Sequence, residues 1–365
     1  MSLLSDLTVP KARKSEGIID LTEDEYIRRF EKRFTDPYFD SHRTEIHELA
    51  KIAWRTHADD RKAPLQSPAG PGYKDPEYQL SDEWRKAKKD IEAAQKRHQD
   101  PNGRLRVLVI SGADRNDRTC PGEVSKSRRL AQIAQITLET EFDFDTELLD
   151  LSLMISEFGK TIYPCKGCVS TAMPLCHWPC SCYPNYSLGQ ADDWMNEIYP
   201  KLAESHGILI VTPVYWYQAP SALKLLIDRL VCADGGNPDP STTHGKKTDE
   251  AKKIEAAGWD YPKHLDKRIF GCVVHGDTGG ANELKNNLST WAEDLHMIPA
   301  SNKAEIARYI GYYEPYYKSH VALDKDEAIQ EETRNVARTI AMTVKAQREA
   351  HAAFADPHQY EPRAK

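Results

Sequence analysis

The stretch GILIVTPVYWYQAPSALKLLIDRL, residues 207–230, decides the fold. It opens with an uninterrupted apolar run, Gly207 to Val211, whose β-branched content predicts a strand buried on both faces of a parallel sheet. A turn with aromatic residues and proline follows, and SALKLLIDRL then shows the apolar spacing of a helix. A strand, a turn and a helix in this order are the repeating unit of an α/β fold.

The same alternation recurs before and after this stretch. Strand patterns occur at RVLVISG (106–112), FDTELLDLS (144–152) and RIFGCVVHG (268–276), and a weaker one at EIARYIG (305–311). Helical patterns occur at 125–140, 191–205, 282–295 and 325–350, and a polar stretch from Ala233 to Asp266 predicts an inserted loop or helix. Five strands alternating with helices predict an α/β fold with a doubly wound, five-stranded parallel sheet.

Residues 1–100 lie outside this alternation and predict a helical N-terminal extension. Thr22, with Glu25 three residues later, forms a capping-box pattern, and Ser81 is placed to cap another helix. The stretch 62–76 is rich in proline and glycine, which predicts an extended connector. We therefore expect three parts: the extension 1–100, the α/β domain 101–350 and a C-terminal tail 351–365.

The bulk composition narrows the partners and the compartment. The chain has 365 residues, 40% of them hydrophobic, which suffices for a full core, and its net charge of -7 argues against a nucleic-acid partner. No apolar run reaches the roughly 18 to 20 residues that cross a bilayer, and no signal-peptide pattern is evident, so we expect a cytoplasmic protein without a membrane partner. In that compartment clustered cysteines indicate metal or redox chemistry more often than disulfides.

Ligands of open parallel sheets bind outside the carboxyl ends of the strands, so the loops that follow the strands indicate the ligand. The loop 111–130 leads from a strand to a helix and carries Arg115, Ser125, Lys126 and Ser127. Basic groups and hydroxyls at a helix N-terminus suit a phosphate, although the two serines could simply cap the helix. It contains neither a P-loop nor a dinucleotide fingerprint.

Two further loops indicate a flat ligand. Tyr215 and Trp216 directly follow a buried strand, and aromatic side chains at that edge are costly to expose unless something planar covers them. Packing beneath a neighbouring loop or subunit is the alternative. The loop HGDTGGAN, residues 275–282, contains three glycines that allow the backbone to approach a ring system, or that form a simple tight turn.

These motifs resemble those of the NADPH-dependent FMN reductases. ISGADR followed by SKSRRLA is similar to their phosphate loop, TPVYWYQAPSALKLLIDRL to their strand, loop and helix, and HGDTGGANE to their last flavin loop. The resemblance implies a flavodoxin-like fold that binds FMN, uses NAD(P)H as co-substrate and forms a homodimer or homotetramer. Ala113 departs from the serine usual in that family, which removes one hydroxyl from the phosphate loop.

The resemblance also implies, position by position, a set of FMN-binding residues. The phosphate side comprises Ser111, Arg115, Ser125, Lys126 and Ser127, and the ring is bordered by Pro213, Val214, Tyr215, Trp216, His275, Gly276, Asp277, Thr278, Gly279 and Gly280. No catalytic side chain is implied, because the flavin itself carries out hydride transfer. Isolated residues elsewhere lead to simpler expectations. We expect Cys232 and Cys272 to pack in the core, and His244 and His264 to be solvated.

The segment YPCKGCVSTAMPLCHWPCSCYPN, residues 163–185, contains five cysteines. It occupies the position at which the related iron-sulfur flavoproteins carry their cysteine motif, and Cys165 and Cys168 match its opening, although Thr171 replaces the next cysteine. Cys165, Cys168, Cys176 and Cys180 could supply four thiolates to an iron-sulfur cluster. Zinc with His177 as an alternative ligand, a disulfide, or a thiol-rich lid or subunit contact are the other interpretations.

The sequence as a whole therefore predicts an FMN-dependent NAD(P)H oxidoreductase that reduces a small-molecule acceptor such as a quinone or a flavin. Two alternatives remain. One is an iron-sulfur flavoprotein that carries electrons between partner proteins, and the other is a non-catalytic binding scaffold on the same fold.

Overall fold

A computed structural model of the protein describes residues 21–58, 66–119, 122–180, 192–258 and 261–353. The described residues up to Gln66 form one compact unit and those from Ser67 onward form a second, larger one. In the smaller unit, α1 (Glu23–Glu31) packs on α2 (Arg43–Ala58), with the ring of Tyr26 5.5 Å from that of Trp54. The backbone N–H of Glu25 donates to Thr22 Oγ1, which confirms the predicted cap.

The larger unit begins with a short two-stranded sheet of β1 (Gln66–Pro68) and β2 (Gln79–Ser81). The sequence predicted only an extended connector for the proline- and glycine-rich stretch. In the structure this stretch contains β1, which pairs with β2, and next to β1 the Ala69 N–H donates to Tyr78 O at 2.8 Å. Ser81 caps α3 (Asp82–Gln99), as predicted. This helix packs against α6 (Met195–Glu204) and contributes Ile91 and Ala94 to the core of the larger unit.

The main sheet is parallel throughout. Its strands are β3 (Arg106–Ser111), β4 (Asp145–Asp150), β5 (Gly207–Pro213), β6 (Ile269–Gly276), β7 (Ile298–Pro299) and β8 (Glu305–Tyr309). They lie in the order β4-β3-β5-β6, and both β7 and β8 pair in parallel with β6. This is the flavodoxin-like order 2-1-3-4-5, which confirms the predicted fold class.

The strand count differs from the predicted five because the last position in the sheet is divided. β7 pairs with the start of β6 and β8 with its end, and residues 301–303 leave the edge between them, since Ala300 N–H still donates to Phe270 O and Ala304 O still accepts from Cys272 N–H. Gly271 of β6 lies at this interruption, where a Cβ atom would be 2.9 Å from Ala304 O. The interruption has little local sequence signal, since β7 contains only two residues.

Helices cover both faces of the sheet, as a doubly wound fold requires. They are α4 (Lys126–Phe142), α5 (Leu153–Ser156), α6 (Met195–Glu204), α7 (Ser221–Arg229), α8 (Thr248–Ala257), α9 (Ala281–Asp294), α10 (Tyr316–Lys325) and α11 (Glu327–Ala353). α6, α7 and α9 enclose one core, and α4 and α11 enclose the other. α10 was missing from the sequence prediction, which placed only the helix 325–350 there. None of the helices among the described residues combines the length and apolar composition needed to span a bilayer.

Candidate functional site

The N-terminus of α4 lies at the carboxyl end of β3 and places a buried cation there. Ser125 caps the helix, since its Oγ accepts from Arg128 N–H at 3.1 Å. Lys126 is buried, and its Nζ donates to Ile310 O at 3.1 Å. Burial lowers the pKa of Lys126, and the nearby Asp277 opposes that shift. A buried ammonium beside a helix N-terminus is a favourable environment for an anion.

Two serines of the predicted phosphate loop have different roles in the structure. Ser127 Oγ is 2.8 Å from His275 Nε2, so it ties α4 to the end of β6. Burial lowers the pKa of His275 to about 3, with Lys126 contributing, and the imidazole is therefore neutral. Ser111 Oγ, at the end of β3, is buried and has no hydrogen-bond partner among the residues that the structure describes. A buried hydroxyl of this kind is costly unless a ligand satisfies it.

Arg115, the third predicted phosphate contact, faces aromatic and acidic neighbours. Its Cζ lies 4.0 Å from the centroid of the Tyr316 ring, and its Nη1 lies 3.7 Å from Glu123 Oε2. The guanidinium is thus held over Tyr316 beside the N-terminus of α4.

The turn after β5 is strained and exposes an aromatic side chain. Pro213 and Val214 are buried, and Tyr215 and Gln218 exchange two backbone hydrogen bonds of 2.9 Å across a two-residue turn. The two central residues, Trp216 and Tyr217, have φ of 48° and 66°, a conformation that favours glycine or asparagine. The side chain of Trp216 is 91% exposed. Such strain concentrates at ligand-binding sites, where the surrounding structure maintains it.

The glycine-rich loop after β6 packs directly against that turn. A Cβ atom at Gly276 would lie 2.5 Å from Val214 Cγ1, and one at Gly280, whose φ is +100°, would lie 2.7 Å from Tyr217 Cα. Approach of the backbone to a ring system, or a simple tight turn, was predicted for these glycines. The close contacts in the structure are with Val214 and Tyr217 of the same chain, so approach to a bound ring stays a prediction. Asp277, Thr278 and Gly279 are exposed beside Tyr217.

A fourth loop, after β8, reaches the same edge and was missed by the sequence analysis. A Cβ atom at Gly311 would lie 2.5 Å from Asp277 Cβ, so this loop touches the glycine-rich one. The rings of Tyr309 and Tyr313 lie 5.7 Å apart, and Tyr313 has a φ of 54°. The only signal in the sequence was the density of tyrosine in YIGYYEPYY, residues 309–317.

Residues 105–308 match the family described as NADPH-dependent FMN reductase, and this is more than half of the chain. The chain belongs to the NADPH-dependent FMN reductase family. Three of the four loops at the carboxyl edge lie within the matched segment, and the fourth, between β8 and α10, follows it.

Individual relatives of this FMN reductase family member are distant. An iron-sulfur flavoprotein from Methanosarcina thermophila is 28% identical over 127 residues, which are 35% of this chain and 53% of that protein. The chain thus spans about half the length of this curated relative. RosB with a bound 8-demethyl-8-formylriboflavin-5'-phosphate is 16% identical, with a TM-score of 0.45 over 72% of this chain and 95% of that one. A WrbA-like flavodoxin from Agrobacterium tumefaciens is 10% identical, with a TM-score of 0.35 over 67% and 99%.

The cysteine segment lies on the face covered by α6, α7 and α9. Cys176 is buried, whereas Cys165, Cys168 and Cys180 are half-buried. Burial raises the pKa of Cys165, and the thiols of Cys180, Cys176 and Cys168 add to the shift, so the four predicted thiols interact. Within the described ranges, however, no three His, Cys, Asp or Glu side chains are arranged to hold one metal ion.

Cys232, which the sequence predicted as core packing, is the thiol that Cys176 contacts most directly. It is buried, as predicted, and a hydrogen bond between the two thiols raises the pKa of Cys176 strongly. Cys272 is also buried in β6, again as predicted. Cys120 and Cys182 lie outside the described residues.

Two histidines near the cysteine segment are structural. His177, the alternative zinc ligand, is buried with its Nε2 3.0 Å from Thr243 Oγ1. The prediction of a solvated His264 was wrong: its ring is buried, and its Nδ1 lies 2.9 Å from the Tyr199 hydroxyl. The polar composition of residues 233–266 suggested exposure, but the ring of Trp178 packs on His264 from a distant part of the sequence.

Proposed function

We propose that this protein is an FMN-dependent oxidoreductase that takes hydride from NAD(P)H and reduces a small-molecule acceptor such as a quinone or a free flavin. The supporting observation is that one edge of the sheet combines a phosphate-type environment with an exposed aromatic turn. FMN supplies the hydride and electron chemistry when it is bound. The protein's contribution is to bind it, orient it and limit the access of water.

The residues at this edge suit the two ends of FMN. At the phosphate end, Ser111 offers a buried hydroxyl that has no hydrogen-bond partner among the described residues, and Lys126 offers a buried positive charge. We propose that Arg115, Ser125 and Ser127 complete this end, with the two serines contributing through the backbone of the first turn of α4.

For the ring, we propose the two contacting loops after β5 and β6. The proposed contacts are Pro213, Val214, Tyr215 and Trp216 from one loop and His275, Gly276, Asp277, Thr278, Gly279 and Gly280 from the other. Burial raises the pKa of Tyr215, so its phenol stays protonated at neutral pH and can donate a hydrogen bond. The side chain of Trp216 is exposed to solvent on a strained turn, where a planar ligand would cover it.

The first test is the absorption spectrum of the protein as isolated and after addition of FMN. Stopped-flow mixing with NADPH and with NADH should then bleach the visible absorption band of the bound flavin. Failure to bind added FMN, or failure of both nucleotides to bleach it, would contradict the proposal.

A pair of matched variants tests the phosphate end. Lys126→Met removes the buried charge and retains most of the side-chain volume, and we expect the FMN affinity to fall about tenfold or more. Lys224→Met removes an exposed lysine on α7 and serves as the control, with an unchanged affinity. Equal effects of the two substitutions would contradict a phosphate contact at Lys126.

A second candidate is an iron-sulfur flavoprotein that carries electrons between proteins. Burial raises the pKa of the Cys165 thiol and the nearby Cys180, Cys176 and Cys168 add to the shift; this proximity of the four cysteines, together with the iron-sulfur flavoprotein relative, supports it. Their placement in the described structure does not fit a metal site, and we derive no step from a cluster. Iron and sulfide analysis of protein purified without oxygen, with EPR after reduction, distinguishes the candidates: about four irons per chain would establish the carrier, and none would exclude it.

Three further expectations accompany the proposal. We propose a homodimer or homotetramer, a cytoplasmic location, and a division into the extension 1–100, the flavodoxin-like domain 101–350 and the tail 351–365. The family resemblance and the composition support them. Sedimentation velocity measures the assembly state. A chain that starts at residue 101 tests the domain boundary, and it is a stringent test because it removes α3, which packs on α6.

A further inference from the structure

Three basic groups surround one tyrosine at the phosphate end of the edge. The ring of Tyr316, at the start of α10, has Arg115 Cζ at 4.0 Å from its centroid and Lys126 Nζ at 5.3 Å. The imidazole of His320 packs edge-to-face on the same ring, with centroids 4.7 Å apart. Arg115 and Lys126 belong to the proposed FMN site, whereas His320 belongs to no motif and lies beyond the segment 105–308 that matches the family.

His320 is buried next to these charges with an unused ring nitrogen. The residue is 6% exposed, and among the described residues its Nε2 is buried without a hydrogen-bond partner. A buried ring nitrogen normally has a partner, because leaving it unsatisfied is costly. In the neutral tautomer that carries its proton on Nε2, and in the charged form, this nitrogen is a donor and can bind an anion.

The charges that face His320 come from three elements. Burial lowers its pKa, as do Arg129 and Lys126 of α4, while Glu123 of the preceding loop and Asp324 of α10 oppose them. Arg129 also pairs with Asp324 at 2.6 Å. Arg129 and Lys126 are therefore the positive neighbours whose charge a bound anion would share with His320.

We propose that His320 is a ligand of the FMN phosphate, donating a hydrogen bond from Nε2 to a phosphate oxygen, and that it makes the site selective for FMN over riboflavin. The inference rests on the proposed function, because it assigns a further residue to the same site. Tyr316 is a positioning residue, because its ring contacts both the His320 ring and the Arg115 guanidinium.

The test measures the affinity of the full chain for FMN and for riboflavin by quenching of flavin fluorescence. We expect His320→Ala to weaken FMN about ten- to hundredfold, the range for a lost charge-assisted hydrogen bond, and to leave riboflavin unchanged. His320→Gln retains an amide donor on a shorter side chain, so we expect it to recover part of the FMN affinity. Ligand selectivity is a property that a purely structural defect would not alter.

Leu323→Ala is the matched control. Leu323 is buried on the same helix and carries no polar group, so its truncation lowers the unfolding temperature without changing the ratio of FMN to riboflavin affinity. If His320→Ala weakens both flavins equally, or neither, His320 is not a phosphate ligand. Should His320→Ala not fold, the ratio measured for His320→Gln decides in the same way. If the unaltered protein binds neither flavin, the proposed function itself fails, which is a distinguishable outcome.

Discussion

Lowering the pH from 7.5 to 5.5 should destabilise this protein, because three buried histidines are held neutral. His177, His264 and His275 are only 2%, 3% and 4% exposed. Burial lowers their pKa values to about 3, about 4 and about 3. In the unfolded chain a histidine titrates near pH ~6.5, so below that pH the unfolded state binds protons that the folded state does not. Stability is therefore fully present above this pH and is lost as the pH falls toward 4.

The size of the effect follows from the three groups. When the pH falls from 7.5 to 5.5, protonation of a histidine in the unfolded chain shifts the folding equilibrium about tenfold toward the unfolded state. This lowers the free energy of unfolding by about 1.4 kcal/mol per histidine. These three groups together cost roughly 4 kcal/mol, a large part of the roughly 5 to 15 kcal/mol that stabilises a typical domain. His98 and His206, whose pKa values burial also lowers, to about 3 and about 4, act in the same direction, so this figure is a lower bound for the histidines. The hydrogen bonds that join the first three rings to the hydroxyls of Thr243, Tyr199 and Ser127 do not require the charged form.

Urea unfolding followed by tryptophan fluorescence at pH 7.5, 6.5 and 5.5 measures this dependence. His264→Gln should reduce the change across the window by about 1.4 kcal/mol, whatever it does to stability at pH 7.5. His42→Gln, at an exposed position, is the control and should leave the change as it is. A free energy of unfolding that falls by less than about 1 kcal/mol over the window would refute the reasoning, since the histidines would then accept protons in the folded state.

Three substitutions give further predictions. Gly280→Ala should lower the free energy of unfolding by about 2 kcal/mol in urea titrations, because the new Cβ meets the backbone of Tyr217 at a φ of +100°. Asp193→Asn should lower it by about 3 to 5 kcal/mol, because it leaves the buried guanidinium of Arg229, now 2.6 Å from Asp193 Oδ2, without a counter-charge. Trp216→Gly should leave stability within about 1 kcal/mol, because relief of strain offsets the added chain entropy, while steady-state kinetics show a higher KM for the acceptor. Unchanged stability in either of the first two variants, or an unchanged KM in the third, would contradict the corresponding contact.

Much of the fold could be predicted because its signals are local. The apolar runs of β3, β5 and β6 and the cap at Ser125 depend on residues within a few positions of one another. The division of the sheet edge into β7 and β8 could not be predicted, since a two-residue strand has no periodicity. The burial of His264 could not be predicted from nearby residues either, because Tyr199 and Trp178, which cover its ring, come from distant segments.

The candidate site shows the same limit. The sequence and its family resemblance indicated the loops after β3, β5 and β6, and they meet at one edge because the carboxyl ends of parallel strands share that edge. The loop after β8 was missed, although its Gly311 packs on Asp277 of the loop after β6. The contact of Cys176 with Cys232 was equally absent from the spacing of the cysteines.

The doubly wound parallel sheet, the family and the edge at which we propose a ligand could be inferred from sequence alone, because strand and helix periodicity and turn chemistry are properties of short segments. The packing of distant segments was needed to show that His320 and Tyr316 join Lys126, that Ser111 has no partner among the described residues, and which histidines stay neutral. Burial and charge at a site depend on which distant segments pack together, and that packing has no signature within any one of them.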